Sequence, residues 1–292
     1  MKRPAPGARR ARTPPAERVR RRLAAAAGPE VAAAMPSGYH RLGRVLVVQR
    51  PAALAPYDGL LGAAWQEELG VATVLVKSGP IDGELRTPRL KCVAGESTET
   101  QVVEYGVRWR FDAARIMFAA GNRTERWRVG RLVQPGESVV DLFAGIGYFA
   151  IPAALPGRAA RVFAVEKNPV AVRYLHENAE VNGVASRLIV LSGDNRSVEL
   201  PRGAFDRAIL GYLPSALPWV ARAVELLRPS GGWLHVHTVA DVRAPLSEAA
   251  REVAVVAADA GATPTEPGRV RVVKPYGPGR NHLVIDVRVA RG

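Results

Sequence analysis

The sequence predicts an α/β protein: a doubly wound, mainly parallel, Rossmann-like sheet over residues 112–292, behind a small α+β domain over 36–111. Three observations carry this expectation. From about residue 112, short β-rich runs alternate with helical runs, the mark of successive βαβ units. A glycine-bearing loop, "DLFAGIGYFA" (141–150), joins the first buried strand to a helix. Acids stand at the ends of the first two strands and just past the third: Asp141, Glu166 and Asp194.

The chain opens on a basic segment. Residues 1–22 hold nine Lys/Arg against one acid, Glu17, so +8 of the net charge of +14 lies there. This Pro-, Ala- and Arg-rich stretch is expected to be a disordered tail over residues 1–35, suited to a polyanion or to solubility alone. Its four prolines argue against a transit peptide. No apolar run approaches the ~20 residues of a membrane span. A cytoplasmic monomer without a membrane partner is therefore expected. Cys92 is the single cysteine, which excludes an internal disulfide and a cysteine metal cluster, and it reads as a buried thiol.

The elements follow in order. Residues 23–34 suit a short helix, 41–50 a strand, 58–70 an amphipathic helix through Leu61, Ala64 and Trp65, and 71–77 and 102–110 two further strands. A helix is expected over 112–120, then a strand over 138–143, a helix over 148–155 and a strand ending at Glu166. A helix over 169–181 stops at Asn182-Gly183. Strands at 187–191, 205–210 and 232–237 alternate with helices at 215–228 and 245–260, and 268–275 with 281–289 forms a terminal hairpin.

Gly145 and Gly147 let the backbone turn sharply and approach a ligand. Alone, this loop also fits a nicotinamide cofactor. Glu166, placed to take two ribose hydroxyls, fits both. Asp141 tips the balance: an acid before the glycines repels a pyrophosphate but can hold the cationic methionine end of S-adenosylmethionine (SAM). Asp194-Asn195, after the third strand, is placed to hold an adenine amino group. The set points to SAM and to the class I SAM-dependent methyltransferase fold. His235 and His237 alternate on one strand without a third ligand, so they read as packing and no metal is expected.

The runs "VVDLFAGIGYFAIPAA", "AVEKNP" and "GDNR", with "GELRTPRLKCVAGESTETQVVEYGVRWRFD" upstream, resemble the tRNA guanine-37 N1-methyltransferase and wybutosine-synthesis aminocarboxypropyltransferase family over roughly residues 37–290. Two segments divide its branches. The methyltransferases resemble F-x-P-R-x-x-x-E-R and N-L-P or N-P-P. The aminocarboxypropyltransferases resemble F-S-x-G-N-x-x-E-R and G-Y-x-P. This chain reads Phe118-Ala119-Ala120-Gly121-Asn122 through Glu125-Arg126, then Gly211-Tyr212-Leu213-Pro214. The resemblance therefore implies transfer of the 3-amino-3-carboxypropyl group of SAM to 4-demethylwyosine at position 37 of tRNA(Phe), in the anticodon loop. N1-methylation of guanosine 37 is the alternative, and a SAM-binding tRNA module without catalysis is a third reading. The resemblance also implies cofactor contacts at Ala119, Arg126, Glu166, Asp194 and Asn195, where Ala119 replaces the family's usual serine. Tyr212 is expected to stack on the acceptor base and Glu125 to serve as an acid or base. Arg126 could pair the methionine carboxylate, or merely Glu125. Seven arginines between 108 and 131, with Trp109 and Trp127, suggest a phosphate-binding rim.

Overall fold

The computed structural model describes residues 13–291, which divide into two compact units. The first comprises the residues up to Gln101 with Asp112–Met117; the second comprises Val102–Phe111 with Phe118 onward.

The first unit opens with helices α1 (Pro15–Ala27) and α2 (Pro29–Ala33). This corrects the expected disordered tail, of which residues 1–12 lie outside the described residues. Proline at the first helical position presets φ. Ala16, Val19 and Leu23 recur at helical spacing, and their buried stripe packs with Leu46, Leu61, Trp65 and Val74. The arginines that suggested a solvated polycation meet acids instead: Arg18 Nε donates to Glu68 at 2.7 Å, and Arg22 Nη2 to Glu67 at 2.7 Å.

Strands β1 (Tyr39–Leu42), β2 (Val45–Val48), β3 (Thr73–Lys77) and β4 (Leu90–Ala94) form one sheet in that order. The single strand expected over 41–50 is thus a hairpin. β2 and β3 run parallel because helix α3 (Asp58–Leu69) crosses over between them. Cys92 lies on the edge strand β4 and is exposed, contrary to the buried thiol expected.

Strands β5 (Glu99–Glu104) and β6 (Val107–Asp112) pair as a separate hairpin. The helix expected over 112–120 does not form. Asp112 Oδ1 takes the Ala114 N–H at 2.8 Å and the Thr98 hydroxyl at 2.5 Å, so a side chain claims the backbone that a helix would need. A single turn follows, and helix α4 begins later (Arg123–Leu132).

The remaining elements of the second unit alternate as expected. They are β7 (Ser138–Asp141), α5 (Ala150–Ala154), β8 (Arg161–Glu166), α6 (Pro169–Val181), β9 (Leu188–Ser192), β10 (Arg207–Leu210), α7 (Val220–Leu226), β11 (Gly232–Asp241), α8 (Leu246–Asp259), β12 (Ala262–Pro264), β13 (Arg269–Gly277) and β14 (Arg280–Arg291). The sheet order is β12-β14-β11-β10-β7-β8-β9, with β13 also on β14. β7 to β11 are parallel, and β14 is antiparallel to β11. The chain fills one side of β7 and then returns to the other. The order therefore reverses between β7 and β10, and the crevice past their C-terminal ends is where such sheets bind ligands. Asp141 ends β7 and Gly211 follows β10.

Alternation sorts the two faces of this sheet. Val140, Ala208, Leu234 and Val287 stand in one row and pack with Val220, Val224 and Val253 of α7 and α8. The next row, Asp141, Ile209, His235 and Asp286, stands on the opposite face.

Candidate active site

Glu166 is brought to the crevice by the last residue of β8. Its Oε2 accepts the Gly145 N–H and its Oε1 the Asn168 N–H, both at 2.7 Å. Gly145 and Gly147 take φ of +56° and +101°, left-handed values that a side chain resists. Each Glu166 oxygen keeps acceptor capacity, which suits the two hydroxyls of a ribose. Burial raises its pKa. Asn168 caps α6 by accepting the Val170 N–H at 3.0 Å, while Lys167 pairs with Asp194 at 3.0 Å.

Asp141 is fully buried on β7. Its Oδ1 accepts the Phe143 N–H at 3.1 Å; its Oδ2 has no partner among the described residues. Burial, and secondarily the charge of Glu166, pushes its pKa up to about 7 against the pull of the Phe143 and Ala150 N–H groups. A cation beside it would relieve both the desolvation and the orphaned oxygen. Asn195 is similar: its Nδ2 donates to Leu142 O at 2.8 Å, and its buried Oδ1 is left without a partner. Asp194 is more exposed and is held below the usual carboxylate range by the Arg196 N–H and by Lys167. Two buried oxygens without donors, beside an acid shaped for a diol, fit SAM: adenine amino at Asn195, ribose at Glu166, cationic arm at Asp141.

Arg126 is buried. It holds Glu104 through Nε and Nη2 at 3.1 and 2.6 Å and the Ala119 carbonyl through Nη1 at 3.1 Å, with its guanidinium 4.7 Å from the Phe118 ring centre. Its ion-pair partner is thus Glu104, not Glu125. Glu125 gives both oxygens to Arg128, at 2.6 and 2.9 Å. Arg128 reaches Asp286 at 2.6 Å, Asp286 meets His235 at 2.5 Å, and Arg207 links His235 at 2.6 Å to Glu137 at 2.8 Å. Glu125, expected as an acid or base, stands at one end of an ionic row that runs along this face of the sheet. Burial keeps His235 neutral, and its partners place the proton on Nδ1, facing Asp286. Burial opposes ionisation of Asp286, but the hydrogen bonds from His235 and Arg128 outweigh it and hold the carboxylate well below its usual range. The expected phosphate rim shrinks accordingly, because Arg126, Arg128 and the buried Trp109 face inward.

Tyr212 is half-buried against the core of the second unit. Phe143 stacks on its ring at 5.0 Å, and Trp219 lies at 5.2 Å, so one of its faces is already covered. The two glycines of the branch-dividing motifs sit in close quarters. A Cβ on Gly211 would stand 2.8 Å from Phe149 Cε2, and one on Gly121 would stand 2.8 Å from Lys274 Cδ. Phe143 and Phe149 belong to the 141–150 loop and Lys274 to β13, and only the fold brings Phe149 and Lys274 against these glycines and Phe143 against Tyr212. Phe149 also meets His237 at 5.1 Å, and His237 pairs with His282 at 2.8 Å.

A reversal point of this topology, with a glycine loop and acids at the ends of β7 and β8, marks the class I SAM-dependent transferases. Residues 100–263 match the TRM5/TYW2 methyltransferase domain, and residues 19–98 match the TYW2 N-terminal domain. The tRNA(Phe) (4-demethylwyosine(37)-C(7)) aminocarboxypropyltransferase of Pyrococcus horikoshii is 33% identical over 272 residues, covering 93% of this chain and 96% of that protein. The crystal structure of P. horikoshii TYW2 in complex with MeSAdo superposes with a TM-score of 0.82 at 29% identity, over 95% of this chain and 100% of that one. M. jannaschii TYW2 in complex with AdoMet gives a TM-score of 0.71 at 30% identity, over 87% and 100%. The chain belongs to the TRM5/TYW2 family.

Proposed function

We infer that this protein transfers the 3-amino-3-carboxypropyl group of SAM to C7 of 4-demethylwyosine at position 37 of tRNA(Phe), working as a cytoplasmic monomer on the anticodon loop. The observation that carries this reading is the pair of bare positions, Gly121 and Gly211, at the mouth of the crevice. The methyltransferase pattern has Arg at the position of Gly121 and Asn at that of Tyr212, whereas here a Cβ on Gly121 would stand 2.8 Å from Lys274 Cδ and one on Gly211 2.8 Å from Phe149 Cε2. Similarity along nearly the whole of the P. horikoshii aminocarboxypropyltransferase supports it.

When bound, SAM supplies a sulfonium whose methionine-arm carbon is open to displacement. Glu166 and Gly145 hold the ribose, and Asn195 with Asp194 receives the adenine. Asp141 balances positive charge; Arg126, fixed by Glu104, presents its remaining N–H groups beside Ala119 for a carboxylate. In-line positioning selects which carbon is attacked. The acceptor carbon is enamine-like and attacks without prior deprotonation, displacing methylthioadenosine and losing its proton to solvent afterwards, which agrees with a Glu125 paired to Arg128. The test is product identity. Incubated with SAM and tRNA(Phe) bearing 4-demethylwyosine, the protein should release methylthioadenosine and leave an aminocarboxypropylated nucleoside. Release of S-adenosylhomocysteine with a methylated guanosine would overturn the reading, and SAM binding without either product would reduce the protein to a binding module.

A further inference from the structure

Four planar groups of the second unit stack in a row beside the β5–β6 turn. Tyr105 lies against Trp127 with ring centres 5.3 Å apart and planes 15° from parallel. The Arg158 guanidinium covers Trp127 at 4.9 Å, and that of Arg123 stands 5.7 Å from the Tyr105 ring centre. The contacts therefore run from Arg123 to Tyr105, Tyr105 to Trp127 and Trp127 to Arg158.

Its members stand where local preference would not put them. Tyr105 has φ of +49°, at a turn position where Asn or Gly is at ease and an aromatic is not. Its ring is not there to fill a core, since Tyr105 is 48% exposed. Arg123 opens α4, where the positive end of the helix dipole disfavours a cation. Arg158 is half-buried, and its pKa is lowered first by that burial and then by the charge of Arg131. Costs of this kind, concentrated at one exposed spot, point to a ligand that repays them. The ligand must be flat, to lie on an aromatic ring, and anionic, to satisfy three neighbouring arginines.

We propose that this row is a stacking site for an unpaired nucleotide of the RNA substrate. The base slides between Tyr105 and the exposed Arg123, extending the stack by one member. Arg123, Arg131 and Arg158 draw the flanking phosphates. Every base has a flat face, so the site anchors RNA without reading its sequence. The inference rests on tRNA being the substrate.

The first test is Tyr105→Asn, which removes the ring but suits the turn. It should weaken tRNA binding about tenfold, the loss expected of one base–aromatic stack. SAM affinity, read by calorimetry, should stay within about twofold, and thermal stability should be equal or higher. The second test is quenching of tryptophan fluorescence by a short unpaired oligoribonucleotide, which should largely disappear in Trp127→Phe. Unchanged tRNA affinity in Tyr105→Asn, a parallel loss of SAM binding, or quenching that survives in Trp127→Phe overturns the proposal. Wild-type protein is assayed alongside for tRNA binding and product: if it modifies tRNA while the variant behaves as wild type, only the stacking site fails; if it does not bind tRNA, the functional reading falls and the stacking site with it.

Discussion

Replacing Asp141 by Asn should stabilise the protein against unfolding at pH 8 while weakening its hold on SAM. In the fold the Asp141 carboxyl titrates at about 7, against an ordinary value of 3.8. Between those values the folded chain keeps a proton that the unfolded chain has lost. The stability from that proton is fully present below about pH 4, declines as the pH rises, and is gone above about pH 7. Three units at about 1.36 kcal/mol each make the ionised, fully buried group cost ~4 kcal/mol at pH 8. Asn removes that cost but leaves an amide N–H where Oδ2 had no partner, which costs about 1–2 kcal/mol. The net gain is about 2–3 kcal/mol at pH 8, shrinking to nothing or reversing near pH 4.5. Urea unfolding of both proteins without SAM, at the two pH values, measures it. A SAM titration at pH 8 should show the opposite sign, because the cationic arm loses its counter-charge. A difference in stability that does not change with pH, or an Asn variant that is less stable at pH 8, refutes the reasoning.

Two further outcomes separate the ionic roles. Glu125→Gln should keep turnover within about tenfold, where loss of a general base costs ~10²–10⁴, yet lower stability by ~3 kcal/mol because Arg128 loses a buried partner; a large fall in kcat in a variant shown folded by circular dichroism would restore Glu125 to the chemistry. Glu104→Leu should destabilise by about 3–5 kcal/mol by stranding Arg126, and adding Arg126→Met should recover most of that in urea melts while abolishing tight SAM binding; a double variant no more stable than the single one would show that the pair is not a closed electrostatic unit.

Much of the cofactor half could be read along the chain because its determinants are local. A strand-end acid, a glycine turn and the next strand-end acid lie within 141–166, and each follows from period and turn chemistry. Helix α6 begins and ends where the Asn168-Pro169 and Asn182-Gly183 signals place it. The N-terminal helix was also written there, as Ala16, Val19 and Leu23, but charge density masked it; only the acids Glu67 and Glu68 of α3 reveal that those arginines are paired.

The sequence by itself determined the doubly wound sheet, the acids that line its C-terminal edge and the branch-dividing motifs, since all of these rest on neighbours in the chain. Tertiary structure decided what the charged and aromatic residues do. Glu125 and Arg126 are adjacent in sequence, yet they serve opposite ends of the site, because one helical step of about 100° turns one toward Asp286 through Arg128 and the other toward Glu104. Tyr212 meets Phe143 only once β10 pairs with the distant β7, and Tyr105 meets Trp127 only where the β5–β6 turn lies against α4. Partners separated by so many residues leave no periodic trace, so a side chain's role there follows from the fold that brings them together.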